Sequence, residues 1–283
     1  MTCSVKVGQL QKFRRGIYRS LGHRRDTLFE MIDATSCGGA ADSLPHLSVL
    51  SVHQRRHASV YAALREGTLN APQFRGALVR HPLAGGLPAY AVDVSVVARC
   101  DAEASPGRAY YHHPSRHSAG QPIVAGWAYS WVAQLGSERS SWTHPTLRFC
   151  KERLGWDRAR VRTPEQMDGW TWLVLAGYAQ LRLARRLVAD HRLPWERPRP
   201  VGQLTPWRVL RGFRDLVWIL GTPASAPKPC GRSPGRPRGS RSGLRPGSQQ
   251  PKPQSHELLT PLPAFKDELS FRTFIVGSNG SAP

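Results

Sequence analysis

The stretch AYAVDVSVVARCDA, residues 89 to 102, sets one carboxylate, Asp93, inside an apolar and β-branched run. Two readings fit that placement. A strand that stops early leaves Asp93 in the first turn after it. Alternatively, a rigid strand holds the carboxylate as a ligand for a metal ion. One carboxylate binds that ion weakly, so the second reading requires further acids delivered by other elements. Other potential ligands are poorly arranged. His112, His113 and His117 lie in SPGRAYYHHPSRHSAG with no Cys or carboxylate at a matching spacing, as expected of exposed loop histidines. The cysteines, Cys3, Cys37, Cys100, Cys150 and Cys230, include no CxxC pair and read as dispersed reduced thiols.

The charge is more informative. The 283 residues carry 40 Lys and Arg against 19 Asp and Glu, a net charge of +21, with an isoelectric point of about 11.0. An excess of this size points to a polyanionic partner, DNA first and an acidic membrane surface second. Arg dominates the basic set, and its planar fork suits phosphates and base edges. The longest apolar stretch, GWTWLVLAGYAQL at 169–181, is shorter than the roughly 20 residues needed to span a bilayer. The first thirty residues lack an apolar secretory core. Together these features predict a cytoplasmic, nucleoid-associated protein with no membrane segment.

The positioning elements follow from periodicity. Leu10, Phe13, Ile17, Leu21, Leu28 and Met31 recur at helical spacing, with Lys12, Arg14, Arg15, Arg19, Arg24 and Arg25 on the other face. A second helix fits SVHQRRHASVYAALREG, with Ser51 and Gln54 as a capping box and Gly67 as its stop. A third opens at Asn70 and Pro72. Residues 1–87 therefore read as a basic helical domain. From residue 88 the composition turns to strand in AYAVDVSVVA and PIVAGWAYSWVAQL, with a loop between them. Helix returns over 163–192, capped by Thr163 and Gln166, and over 205–220. Residues 222–283 read as a disordered basic tail. Within it, SPGRPRGSRSG resembles an AT-hook, whose Arg236, Arg238 and Arg241 would lie in an A·T-rich minor groove.

The phrases YAVDVS, GWAYSWVAQL, LGWDRARVRTPE, WTWLVLAGYAQLRLAR and PWERPRP together resemble the DDE transposases, more narrowly the actinobacterial IS701-like group of the IS4 superfamily. The resemblance covers roughly residues 10 to 250. It implies an α/β RNase H-like core over 88–221 whose first strand carries a catalytic, metal-binding Asp, matched by Asp93. It also implies DNA as substrate, with a second Asp and a Glu completing a two-Mg²⁺ site for phosphoryl transfer. This chain departs from that pattern. The family's Glu precedes a Lys by seven residues, and the position seven before Lys151 is His144. Glu138, Glu152 and Asp101 do not match the missing acids, and the middle of the core is absent. The expectation is a truncated chain that binds DNA, with Lys151 among the contacts, and lacks most of the chemistry. A sheet left incomplete exposes an edge that invites pairing with a second copy. The rival expectations are a non-enzymatic protein competing for element ends and a decayed product without a folded core.

Overall fold

In the computed structural model the described residues are 3–38, 43–80, 89–112, 122–135, 146–229 and 272–276. They form a mixed α/β structure with eight α-helices and a small sheet. All helices and strands belong to one compact unit, and residues 227–229 fall in a second.

The six apolar positions that predict an N-terminal helix are all buried. They are divided, however, between α1 (Cys3–Ser20) and α2 (Arg25–Cys37), with Leu21 just past the end of α1. Between the two, Arg24 adopts the left-handed conformation at φ 58°, and the Gly22 N–H donates to the Thr68 carbonyl at 2.8 Å. Helical spacing alone fits one long helix or two short ones. The reversal is set by this pairing with a segment 46 residues away in the chain (68 − 22).

After α3 (Leu44–Ser48), α4 spans Ala58–Glu66 and α5 spans Ala71–Val79. The capping box expected at Ser51 does not form. The Gln54 N–H donates instead to the buried Glu30 carboxylate at 3.2 Å, and Arg55 bonds to that same carboxylate. Residues 51–57 are therefore non-helical, and the helix's N-cap is His57, six residues later than its sequence suggests (57 − 51). The cap on α5 is as expected, with Asn70 Oδ1 accepting from the Gln73 N–H at 3.0 Å.

The later helices are α6 (Thr146–Glu152), α7 (Pro164–Ala184) and α8 (Pro206–Leu220), with a 3-10 turn at Trp156–Arg158. Thr163 caps α7, and Gln166 reaches back to the Arg162 N–H at 2.9 Å. Helix α7 ends at Ala184 rather than at 192, while Val188 remains buried in the turn that follows.

These helices do not divide at residue 87. Leu10, Phe13 and Met31 share one hydrophobic core with Leu173, Leu181 and Phe213. Arg14, expected on the solvated face, is only 2% exposed. Its guanidinium donates to Asp33 Oδ2 at 2.9 Å, to Gln180 Oε1 at 3.0 Å and to the Gly221 carbonyl at 2.9 Å. One side chain of α1 thus contacts α2, α7 and the C-terminal cap of α8.

In the sheet, β1 (Ala89–Ala98) runs antiparallel along one edge of β3 (Ile123–Leu135). The other edge of β3 takes β2 (Ala109–His112), antiparallel, and β4 (Arg272–Val276), parallel. β2 lies in the segment that reads as loop, and β4 lies in the segment expected to be a disordered tail. The start of that expected tail is also tied down. The Ser225 carbonyl accepts from Arg55 at 2.7 Å, and its N–H donates to Asp26 at 3.2 Å. Where β1 crosses β3, a Cβ on Gly126 would stand 2.1 Å from the Val97 carbonyl, so only glycine fits there.

Ser95 and Val97 pair with Tyr129 and Trp127, and all four are buried. Tyr129 and Trp131 of the same face pack edge-on against Trp156 at 5.5 and 4.9 Å, and Tyr129 donates to Asp168 of α7 at 3.0 Å. Aromatic packing therefore fixes the sheet to the helices.

The buried junction gives a direct expectation for stability. Arg14→Ala leaves Asp33 charged and buried, and should cost about 3–5 kcal/mol in urea unfolding. The double change Arg14→Met, Asp33→Leu should recover most of that loss. A single variant that unfolds at the wild-type urea midpoint would rule out this role.

Candidate nucleic-acid interface

The distribution of charge, more than any pocket, distinguishes the surface of this protein. Most of its described carboxylates are held by internal partners. Asp33 belongs to Arg14, Asp26 and Glu30 to Arg55, Glu66 to Arg24 and Arg65, and Glu152 to Arg148. Asp101 lies near Arg99 and Arg160, Asp190 takes Arg208, and Glu196 takes Arg211. Several of these contacts leave a mark on protonation. The Arg65 and Arg24 guanidiniums hold the Glu66 carboxyl below its usual range. Glu196 is held low chiefly by the Leu193 N–H, with Arg211 assisting. Burial pushes Glu30 upward against the pull of Arg55.

The outward cations are left in excess. Lys12, Arg15 and Arg19 are exposed at three- and four-residue spacing, which sets them in one stripe along α1. Helix α5 packs against α1 and adds the exposed Arg75. The stripe stays outward because Leu10, Phe13, Arg14 and Ile17 are committed to the opposite, buried side. Such a row can follow a phosphate backbone.

The residues singled out by sequence are placed differently. Asp93 is in the middle of β1, opposite Trp131, so the strand-end reading does not hold. It shares a face with Ser95 and Val97 but is exposed, as are its neighbours Val92 and Val94. Among the described residues no group of three His, Cys, Asp or Glu side chains could hold a metal. A lone carboxylate opposite an indole does not supply the several oxygen ligands that Mg²⁺ requires. Lys151, on α6, is half-buried with its ammonium 6.0 Å from the Trp156 ring. It therefore supports the aromatic stack as well as carrying charge. Asp101 and Glu152 are both exposed and held by Arg, away from any acid cluster. His144, Glu138, Arg236, Arg238 and Arg241 lie outside the described residues.

Two of the described thiols, Cys37 and Cys150, are withdrawn from chemistry by burial, while Cys100 is exposed. Burial pushes Cys150 up to about 12 and raises Cys37 as well. No helix among the described residues is long and apolar enough to cross a membrane. Sequence reasoning misses the connection between α7 and α8, residues 185–205, which carries several exposed arginines and the exposed Trp195. The run WERPRPV is the available signal, because prolines at that density keep neighbouring side chains out of a helix. Comparison with family models, with curated proteins and with solved structures finds no match for this chain.

The setting of Asp93 predicts indifference to metal. Millimolar Mg²⁺ should shift the thermal midpoint of the wild type and of Asp93→Ala equally, because an ion bound only to the folded state would stabilise it. A shift confined to the wild type would reveal a site at Asp93.

Proposed function

We propose that this protein is a DNA-binding chain derived from a DDE transposase, and that it binds DNA without cutting or joining it. The observation that carries the binding half is the sorting of charge. Most of the described carboxylates are paired within the chain, while the Lys12, Arg15 and Arg19 stripe faces solvent without a carboxylate partner among the described residues. A surface of this kind gains affinity by releasing the counterions condensed on DNA.

The transposase half rests on the sequence phrases that surround Asp93 and run through α7. An RNase H-like ancestry accounts for an acid in the middle of a strand whose sequence is otherwise largely apolar and β-branched. The lack of strand chemistry rests on the donor set. Asp93 brings one carboxylate, whereas stabilising both the attacking and the leaving oxygen takes two metals and several carboxylates. No catalytic step is assigned to the chain on this reading. A second copy pairing along the edge of β1 that no other described strand occupies belongs to the same proposal, since that edge and the exposed Val92 and Val94 offer it a template.

The test is a salt titration of duplex binding by fluorescence anisotropy. The wild-type affinity should fall linearly on a log–log plot against salt. Changing Lys12, Arg15 and Arg19 together to Gln should flatten that slope by about 2 to 3, near 0.9 for each phosphate no longer neutralised. An unchanged slope would remove α1 from the interface.

A further inference from the structure

We infer that the connection between α7 and α8 is a binding site for unpaired nucleotides, with Trp195 as the stacking surface and Arg192, Arg197 and Arg199 as the phosphate contacts. This rests on the reading of the chain as a nucleic-acid binder and assigns it a second contact surface of different chemistry from the α1 stripe.

Residues 185–205 contain no helix or strand, yet they are held at many points. Val188 and Leu204 are buried in the core. Arg185 donates to the Leu204 carbonyl at 3.0 Å, closing the base of the connection. At its centre, the two acids turn inward. Asp190 takes the buried Arg208 at 3.0 Å and the Arg199 N–H at 3.4 Å. Glu196 accepts from the Leu193 N–H at 2.8 Å and from Arg211. Helix α8 comes close enough that a Cβ on Gly212 would lie 2.8 Å from the Ala189 carbonyl. The connection is thus a preformed surface, and Pro194, Pro198 and Pro200 restrict it further.

With both acids turned inward, the exposed ionisable side chains of the connection are all basic types. Arg192, Arg197 and Arg199 are exposed and make no side-chain ion pair among the described residues. Between them stands Trp195, 78% exposed. Trp207, on the first turn of α8, behaves differently, with Arg153 over its ring at 4.2 Å and Arg211 at 5.8 Å. Trp195 has no such cover, so an indole is displayed between guanidiniums on a fixed backbone.

That combination matches unpaired nucleotides. A base freed from the helix presents a π-face to stack on the indole, and the flanking phosphates meet the arginines. Duplex DNA offers its bases only edge-on in the grooves, which leaves a displayed indole face unused. An acidic membrane surface calls for a continuous apolar face beside the charges. Here Trp195 and Val201 are the exposed large apolar side chains, and no helix arranges them into one face.

The experiment uses the full chain and three probes: a labelled oligothymidylate of about 15 nucleotides, a duplex of the same length, and phosphatidylcholine–phosphatidylglycerol vesicles. Trp195→Ala should weaken oligothymidylate binding about tenfold. Trp195→Phe should retain most of the affinity, and duplex binding should change less than about twofold. Changing Arg192, Arg197 and Arg199 to Gln should flatten the single-strand salt slope by about 2, at roughly 0.7 per phosphate. Full single-strand affinity in Trp195→Ala, with duplex binding intact, overturns this site and leaves the proposed function standing. A wild type that binds neither nucleic acid overturns both. Vesicle binding that depends on Trp195 while oligothymidylate binding does not would assign the surface to lipid and overturn the inference.

Discussion

The arrangement of this protein depends on the guanidinium of Arg14. It is buried where α1, α2, α7 and the end of α8 meet, and it has a partner on each of the other three. An isolated charge in that position would be prohibitive, but here Asp33 neutralises it and Gln180 and the Gly221 carbonyl take further donors. The geometry of the junction then propagates. It turns the Leu10, Phe13 and Ile17 side of α1 inward, which leaves Lys12, Arg15 and Arg19 outward at the complementary helical positions. It also holds α7 and the end of α8 in place, and so sets the span that the connection 185–205 must cross.

The same use of acids recurs around the molecule. With 19 carboxylates against 40 basic side chains, each acid paired with an Arg removes one charge of each sign, so the excess of 21 basic side chains is left without acids to neutralise it. Asp33, Glu30, Asp190 and Glu196 are all used in this way. Solvated surface pairs would contribute little to stability, whereas these acids join segments separated in the chain. On the proposed reading, folding and polyanion binding draw on one charge pattern, in which the carboxylates join the scaffold and the cations they do not neutralise are available to a polyanion.

Much of this is legible in the sequence where local physics decides. The strand AYAVDVSVVA forms over its full length as β1, and Asn70 and Thr163 cap their helices as their types predict. What the sequence does not show is long-range. The split between α1 and α2 needs the Thr68 carbonyl, and the loss of helix at 51–57 needs the Glu30 carboxylate. Arg14 reads as one more member of a basic face, because helical phase does not reveal that α7 packs over that position. Asp93 stands out in the sequence by its apolar surroundings. Only the register against Trp131 shows that it is neither a strand end nor part of an acid cluster among the described residues. Trp195 gives no such signal, because its exposure depends on how the connection lies against α8, which no periodicity encodes.

The central claim is that the chain holds DNA by charge and performs no strand chemistry on it. The most direct measurement is to incubate the full chain, with Mg²⁺ or Mn²⁺, with end-labelled duplex carrying the DNA that flanks its own reading frame. Complexes and strand ends are then counted in the same sample. The account predicts retained complexes at low salt and labelled strands recovered intact. New strand ends that appear with the wild type and vanish in Asp93→Ala would contradict it.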